Sequence, residues 1–289
     1  SLQGPWPQKI AIIGGGPAGL SCAYFLALQG YRPTVFEKNE HPGGMLRYGI
    51  PSFKLEKDVI DAEIDILREL GVTIRCGMEV GKDVTLAQLR AQGYKAFYLA
   101  IGCQGGRRAG VPGEDAAGIE TAVHLLRTVG SDESRKMTGK TVVIGGGNVA
   151  MDVTRSSVRL GAASVTCVYR RRIADMSALP DEVQGAIAVG AEIRELSAPV
   201  RIEANEAGEA AALWVQPQII GLQPGLEYIG ARPRGQFRGQ VLRHLLAAER
   251  AAGFNLAYPI GIGLRFGKAR FRRAAEQTDD ARGGRDAEF

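Results

Sequence analysis

The chain has 289 residues and is 45% hydrophobic, enough for a large core in one or two domains, which excludes a wholly disordered protein. No apolar run approaches the roughly 18 residues of a membrane span and no leader peptide is visible, so a cytoplasmic protein with no membrane partner is expected. The net charge of +5 is uneven: residues 231–289 hold 12 basic and 6 acidic side chains, residues 1–230 hold 24 and 25, so the high pI belongs to the tail and no nucleic-acid partner is expected.

In chain order, Lys9-Ile10-Ala11-Ile12-Ile13 is a short apolar run closed by glycines, the pattern of a strand buried on both faces of a parallel sheet. Residues 17–29 are expected to be helical, with Leu20, Tyr24 and Leu28 on one stripe, and Thr34-Val35-Phe36 forms a second strand. A charged amphipathic helix over 55–70 sets Ile60, Ile64 and Leu67 at helical spacing and stops at Gly71. Short strands are expected at 72–75 and 96–101, and Val111-Pro112-Gly113 reads as a linker.

The opening pattern then recurs. Thr141-Val142-Val143-Ile144 is followed by glycines, a helix over 148–160, Gly161 and a strand over 164–169. The offset of 131 residues between Gly14 and Gly145 is far too long for a solenoid period, so it signals two related domains. Beyond about residue 220 the pattern weakens. A helix is expected over 240–252, with Val241, Leu245 and Ala248 on one face, and the last 20 residues read as a polar, Arg-rich tail.

The chemistry sits at the two glycine runs. Gly14-Gly15-Gly16-Pro17-Ala18-Gly19 is a G-x-G-x-x-G that follows a strand and opens a helix. Gly14 suits the tight turn, Gly16 lets a pyrophosphate reach the backbone and Gly19 lets helix and strand pack closely. The helix N-terminus offers amides and a positive dipole end to phosphate. Glu37, 18 residues after Gly19, ends the second strand, where a carboxylate can accept from ribose hydroxyls. The second run is Gly145-Gly146-Gly147-Asn148-Val149-Ala150, with alanine at the third glycine position. Its acid position is taken by Arg170-Arg171-Arg172. A carboxylate repels a 2′-phosphate, whereas a guanidinium binds it through paired charge-assisted hydrogen bonds, which favours NADPH over NADH. Glu182 lies where it restrains an arginine, meets a ribose or is simply a surface helix residue.

Two dinucleotide sites on one chain imply a relay in which nicotinamide delivers a hydride to a flavin. That transfer needs no side-chain acid, base or nucleophile, so no catalytic residue is expected. Cys22, Cys76, Cys103 and Cys167 contain no Cys-x-x-Cys pair, which argues against a redox disulfide or a metal site and for buried thiols. His41, His124 and His244 are scattered, and surface or loop roles are expected for each.

The stretch from Pro42-Gly43-Gly44-Met45-Leu46-Arg47-Tyr48 through Gly49-Ile50-Pro51-Ser52-Phe53-Lys54-Leu55 closely resembles the loop after the flavin-site Glu in the glutamate synthase small-subunit family, whose relatives include the flavin domains of dihydropyrimidine dehydrogenase. Met176-Ser177-Ala178 resembles that family's Met-Pro-Ala segment, with Ser for Pro. A more distant likeness is to adrenodoxin reductase. The resemblance covers roughly residues 8–220 and implies an α/β fold of two Rossmann-like dinucleotide-binding domains, the two-dinucleotide-binding flavoprotein fold. Residues 1–113 would be the first part of an FAD domain and 120–225 an NADP(H) domain. Residues 226–289 would be a divergent or truncated segment where the FAD domain should resume, for they lack the family's Gly-Asp motif. Ala18, Glu37, Gly44, Met45, Leu46 and Val80 would meet FAD. Gly146 to Val149, Arg170, Arg171 and Glu182 would meet NADP, and Ala100-Ile101-Gly102 resembles the first crossover between the domains. The implied activity runs from NADPH to FAD and on to an iron–sulfur protein or a large catalytic subunit. The alternatives are a non-catalytic NADP(H)-binding protein, a thioredoxin-reductase-like flavoenzyme, which the missing Cys-x-x-Cys disfavours, and a flavin monooxygenase, which the loop at 42–55 disfavours.

Overall fold

A computed structural model describes residues 6–132 and 134–219 and the backbone of two further strands at 237–241 and 244–247. The rest of the expected C-terminal segment lies outside the described residues.

The first half is β1 (Lys9–Ile13), α1 (Pro17–Leu28), β2 (Thr34–Phe36), α2 (Met45–Tyr48), α3 (Lys57–Glu69), β3 (Thr73–Arg75), α4 (Leu86–Ala91) and β4 (Tyr94–Leu99). The strands form a parallel sheet in the order β3-β2-β1-β4. Alternation along β1 sends Ile12 to one face, where Val35, Ala23 and Ala27 meet it, and Ala11 and Ile13 to the other, against Phe36, Leu89 and Tyr94. A strand covered on both faces must be apolar throughout, which is why residues 10–13 carry no charge. The short α4 was not anticipated, although its capping box is legible: Thr85 accepts from the Gln88 amide while the Gln88 side chain accepts from the Thr85 amide.

The stripe expected on α1 is corrected. The buried residues are Gly19, Ala23 and Ala27, while Leu20 and Leu28 are half-buried and Tyr24 is exposed. The helix lies so close to β1 that only small side chains fit between them. In α3 the expected stripe is found: Ile60 and Ile64 are buried, and the half-buried Leu67 packs against the cluster of Ile12, Val35 and Val72.

The second half is β5 (Ile119–Thr121), α5 (Ala122–Ser131), β6 (Lys140–Ile144), α6 (Asn148–Arg159), β7 (Ser164–Val168), a 3-10 turn over Ile173–Asp175, α7 (Pro180–Ala188), β8 (Glu192–Arg194), β9 (Ser197–Ala204), β10 (Ala210–Pro217), β11 (Phe237–Val241) and β12 (His244–Ala247). A second parallel sheet runs β5-β12-β6-β7-β8. Helices α5 to α7 cover one face, with Leu125, Met151, Val153 and Val183 in the core. An antiparallel layer, β11-β10-β9, covers the other through Ile202, Leu213 and Val215.

The helix expected over 240–252 is also corrected. The described part of that range is extended: β12 pairs with β5 on one side and β6 on the other. A short apolar run such as Leu245-Leu246-Ala247 fits a helix period and a central strand equally well, and pairing on both edges decides for the strand. The expected linker at 111–113 proves to be docked. Ala109 and Val111 pack on the β9–β10 layer, and the Ile202 amide donates to Pro112 O at 2.8 Å.

Candidate functional site

The glycine runs lie at the C-terminal ends of β1 and β6, one in each parallel sheet, where α/β folds place ligands. In the first, Gly14 has φ +109°, a region closed to most side chains, and its amide donates to Phe36 O at 2.8 Å. The backbones of Gly16 and Gly44 cross so closely that a Cβ on Gly44 would stand 2.7 Å from Gly16 Cα. Gly43 N donates to Gly15 O at 2.7 Å, stitching the loop that follows β2 to the turn. Pro17 begins α1 without an N–H, which leaves the Ala18 and Gly19 amides at the helix head with no carbonyl inside the helix to serve. Such a bare, convergent backbone fits a pyrophosphate.

Glu37 is 3% exposed. Its Oε2 accepts from Gly15 N at 2.7 Å, and its Oε1 accepts from Asn39 N at 2.8 Å and Asn39 Nδ2 at 2.7 Å. The carboxylate therefore holds the glycine turn itself. An ionised carboxylate has about four acceptor positions, so one is left for a ribose hydroxyl rather than the expected pair. Ala100 lies against Gly14, and its amide donates to Ile13 O at 2.8 Å. Gly102 is exposed with φ +66°. Met45 folds over Gly49, Leu46 is half-buried, and Val80 packs into the core with Met78 and Phe97.

At the second run, Gly145 N donates to Val168 O at 3.1 Å and the Tyr169 ring lies flush on Gly146, leaving no room for a Cβ there. Gly147 precedes α6, whose Asn148 and Val149 amides head the helix, and Ala150 is fully buried, so the alanine fits the third position. The segment after the arginines returns to this turn: Ala178 N donates to Gly146 O at 3.0 Å and Leu179 N to Asn148 Oδ1 at 2.8 Å. A cleft of about 200 Å³ opens here, lined by Gly145 to Gly147, Tyr169, Arg170, Arg171 and Ser177. Arg107, which sequence reasoning missed, reaches the same cleft from the crossing between the halves. Arg172 is committed elsewhere, forked onto Asp175 at 2.8 and 2.6 Å, and that contact holds the Asp175 carboxyl below its usual range. The chemistry of this lining, amides at a helix head beside two guanidinium groups, fits a phosphorylated dinucleotide.

Glu182 is not at this cleft. Its Oε1 is 2.8 Å from Lys54 Nζ and its Oε2 accepts from Arg155 at 2.9 Å. Lys54 also donates to Asp152 Oδ1 at 2.9 Å. Of the readings open in the sequence, Glu182 restrains an arginine, though not one of the triplet. Burial works to lower the Lys54 pKa, but Glu182 and Asp152 carry it above its ordinary value. Burial likewise opposes ionisation of Glu182, yet Lys54 and Arg155 hold it below the usual carboxylate range. Burial pushes the Asp152 carboxyl up against the pull of Lys54. A second tie between the halves is Arg127 of α5, which donates to Asn39 and, at 3.3 Å, to Gln104, with its guanidinium 5.2 Å from the Tyr48 ring centre.

The expectation of four buried thiols is corrected. Cys167 is buried, Cys22 and Cys76 are half-buried and Cys103 is exposed in the crossing after β4. Burial pushes the Cys167 thiol up to about 12. Alkylation requires the thiolate, so at pH 8 iodoacetamide is expected to label Cys103 readily and to spare Cys167 until the protein unfolds. Peptide mapping by mass spectrometry checks this, and early label on Cys167 would contradict it. His41 is exposed and His124 pairs with Glu120 at 2.8 Å, while the His244 side chain lies outside the described residues. Among the described residues no cluster is arranged to hold a metal ion and no helix is long and apolar enough to cross a membrane.

Residues 8–207 match the pyridine nucleotide-disulphide oxidoreductase family. The chain is 45% identical over 202 residues to the NADP(+)-dependent formate dehydrogenase subunit beta of Moorella thermoacetica, covering 69% of this chain and 28% of that protein. It is 40% identical over 217 residues to the glutamate synthase [NADPH] small chain of Escherichia coli (strain K12), covering 71% of this chain and 46% of that one. The chain thus spans less than half the length of these relatives. Among solved structures, Mycobacterium tuberculosis FprA in complex with NADPH superposes with a TM-score of 0.67 at 19% identity, over 84% of this chain and 70% of that one, which establishes a shared fold. The match over residues 8–207, the two parallel sheets and the paired glycine turns agree: the chain belongs to the pyridine nucleotide-disulphide oxidoreductase family.

Proposed function

We propose that this chain carries the FAD- and NADPH-binding portion of an electron-transfer flavoenzyme of the glutamate synthase small-subunit type, working in the cytoplasm. The observation that carries the reading is the pairing of two unlike glycine cradles on one chain, the first closed by Glu37 and the second flanked by Arg170 and Arg171. We assign residues 1–113 to the FAD half and 120–225 to the NADPH half.

Bound FAD supplies a ring system that accepts a hydride and hands its electrons onward. The chain's own residues do the rest. The Ala18 and Gly19 amides and the Gly16–Gly44 approach would seat the FAD pyrophosphate, with Glu37 at its ribose. The Asn148 and Val149 amides would seat the NADPH pyrophosphate, with Arg170 and Arg171 on the 2′-phosphate. Lys54 ties the halves together, and Arg127 braces Asn39 beside Glu37. The acceptor is proposed to be an iron–sulfur protein or a large catalytic subunit; the printed names of the relatives, a beta subunit and a small chain, support a partnered role.

The purified protein tests this directly. Flavin absorbance near about 375 and 450 nm that bleaches on anaerobic addition of NADPH is expected. A colourless chain that still binds NADP(H) would overturn the flavoenzyme reading in favour of a nucleotide-binding protein.

A further inference from the structure

The loop between α2 and α3 belongs to the first half in sequence, yet the Lys54 side chain at its tip makes its ion pairs with the second. Lys54 Nζ stands 2.9 Å from Asp152 Oδ1 on α6 and 2.8 Å from Glu182 Oε1 on α7. Arg155 closes the group by donating to Glu182 Oε2 at 2.9 Å. The four side chains form two positive and two negative charges, between 9% and 24% exposed. Beside them the Phe53 ring lies 4.8 Å from the Arg155 guanidinium and 3.9 Å from that of Arg159.

Two features separate this group from an ordinary surface ion pair. The partners are 98 residues apart and on different halves, so the contact constrains the halves rather than either one alone. Asp152 is a carboxylate on the packed face of α6, one turn below Asn148 at the head of the second nucleotide cradle. A buried carboxylate with its cation removed must find a proton, find water or move. Arg155 is already bonded to Glu182, which leaves Lys54 as the cation bonded to Asp152 among the described residues.

We propose that Lys54 is a positioning residue for hydride transfer: by clamping α6 and α7 it sets where the NADPH-binding half stands against the FAD-binding half. The inference rests on the proposed function and adds to it a residue that touches neither cofactor. Hydride transfer depends steeply on donor–acceptor separation, so loosening the clamp separates rate from affinity. NADPH would still find its amides and arginines, but its ring would reach the flavin less often in the reactive pose.

Lys54→Met and Lys54→Arg, each in the full chain, test this with two readouts. The first needs no cofactor. Hydrogen–deuterium exchange of the nucleotide-free protein is expected to rise in K54M over residues 50–57 and 179–188, while β1 and β6 keep the parental pattern and K54R stays parental throughout. The second is single-turnover bleaching of the flavin by NADPH. The rate is expected to fall by roughly ten- to a hundredfold in K54M. NADPH Kd should shift by no more than about threefold, and K54R should recover most of the rate. Parental exchange and parental rate in K54M would overturn the proposal. A loss of NADPH affinity as large as the loss of rate, with unchanged exchange, would overturn it too, because Lys54 would then act on the nucleotide and not through the halves. A colourless chain sinks the flavoenzyme reading by itself and leaves exchange to decide the clamp: a local rise in K54M supports it and a parental pattern refutes it.

Discussion

Gly19→Ala is expected to cost the first half about 3 kcal/mol or more, the upper end of the overpacking range. A Cβ there would meet the Gly14 carbonyl oxygen inside 3.0 Å, a separation real Cβ atoms essentially never show, and Ile12 Cγ2 at 3.2 Å. The first obstacle is backbone in the turn itself, so no side chain can swing away. Relief requires α1 to lift from β1, which opens the cradle. A thermal melt followed by circular dichroism should show the midpoint falling by roughly 6–12 °C, with flavin released earlier in the transition. Gly71→Ala is the contrast. Gly71 has φ +91° but nothing within 4 Å of its would-be Cβ, so only backbone strain of roughly 1–2 kcal/mol is expected. A Gly19 variant that melts with the parent would mean the helix–strand contact is looser than described.

Arg170→Ala with Arg171→Ala is expected to weaken NADPH binding at least tenfold and to leave NADH nearly unchanged. Hydrogen bonds to charged groups contribute about 1.5–3 kcal/mol each, and about 1.4 kcal/mol is tenfold in Kd. Arg170 is exposed and Arg171 half-buried, and both line the cleft beside Gly145 to Gly147. Arg172→Ala is the internal control, since that guanidinium is forked onto Asp175. Titration of both nucleotides with each variant decides it. Equal losses for NADPH and NADH would show that the arginines do not read the 2′-phosphate.

The two glycine turns were legible because local chemistry dictates them. Glycines at fixed offsets after an apolar strand have few other uses, and the strands β1, β2, β6 and β7 fall within a residue or so of their expected bounds. What the sequence concealed was set by partners far away. The buried face of α1 was misread because periodicity favours bulky residues, whereas the closeness of β1 selected Gly19, Ala23 and Ala27. β12 was misread because a run of three apolar residues does not distinguish a helix from a strand, and its neighbours β5 and β6 lie far earlier in the chain. Glu182 and Lys54 were both on view, the second within the stretch over 42–55, but their pairing was not, since that loop gave no local sign that it crosses to the other half. Arg107 was missed for the same reason: it stands in a stretch of glycines and arginines that reads as linker.

The bond from Leu179 N to Asn148 Oδ1 carries a thermodynamic consequence. Together with the bond from Ala178 N to Gly146 O, it makes the head of α6 and the start of α7 a single body, with the segment bearing the arginines strung between them. A phosphorylated dinucleotide that grips the turn and the arginines then meets two anchors whose spacing is already fixed. Little chain entropy remains to be lost on binding, because folding has frozen that segment beforehand. On the proposed reading, affinity for the nucleotide is tied to the stability of this corner, and a change that frees Asn148 would weaken binding without touching any atom of the ligand.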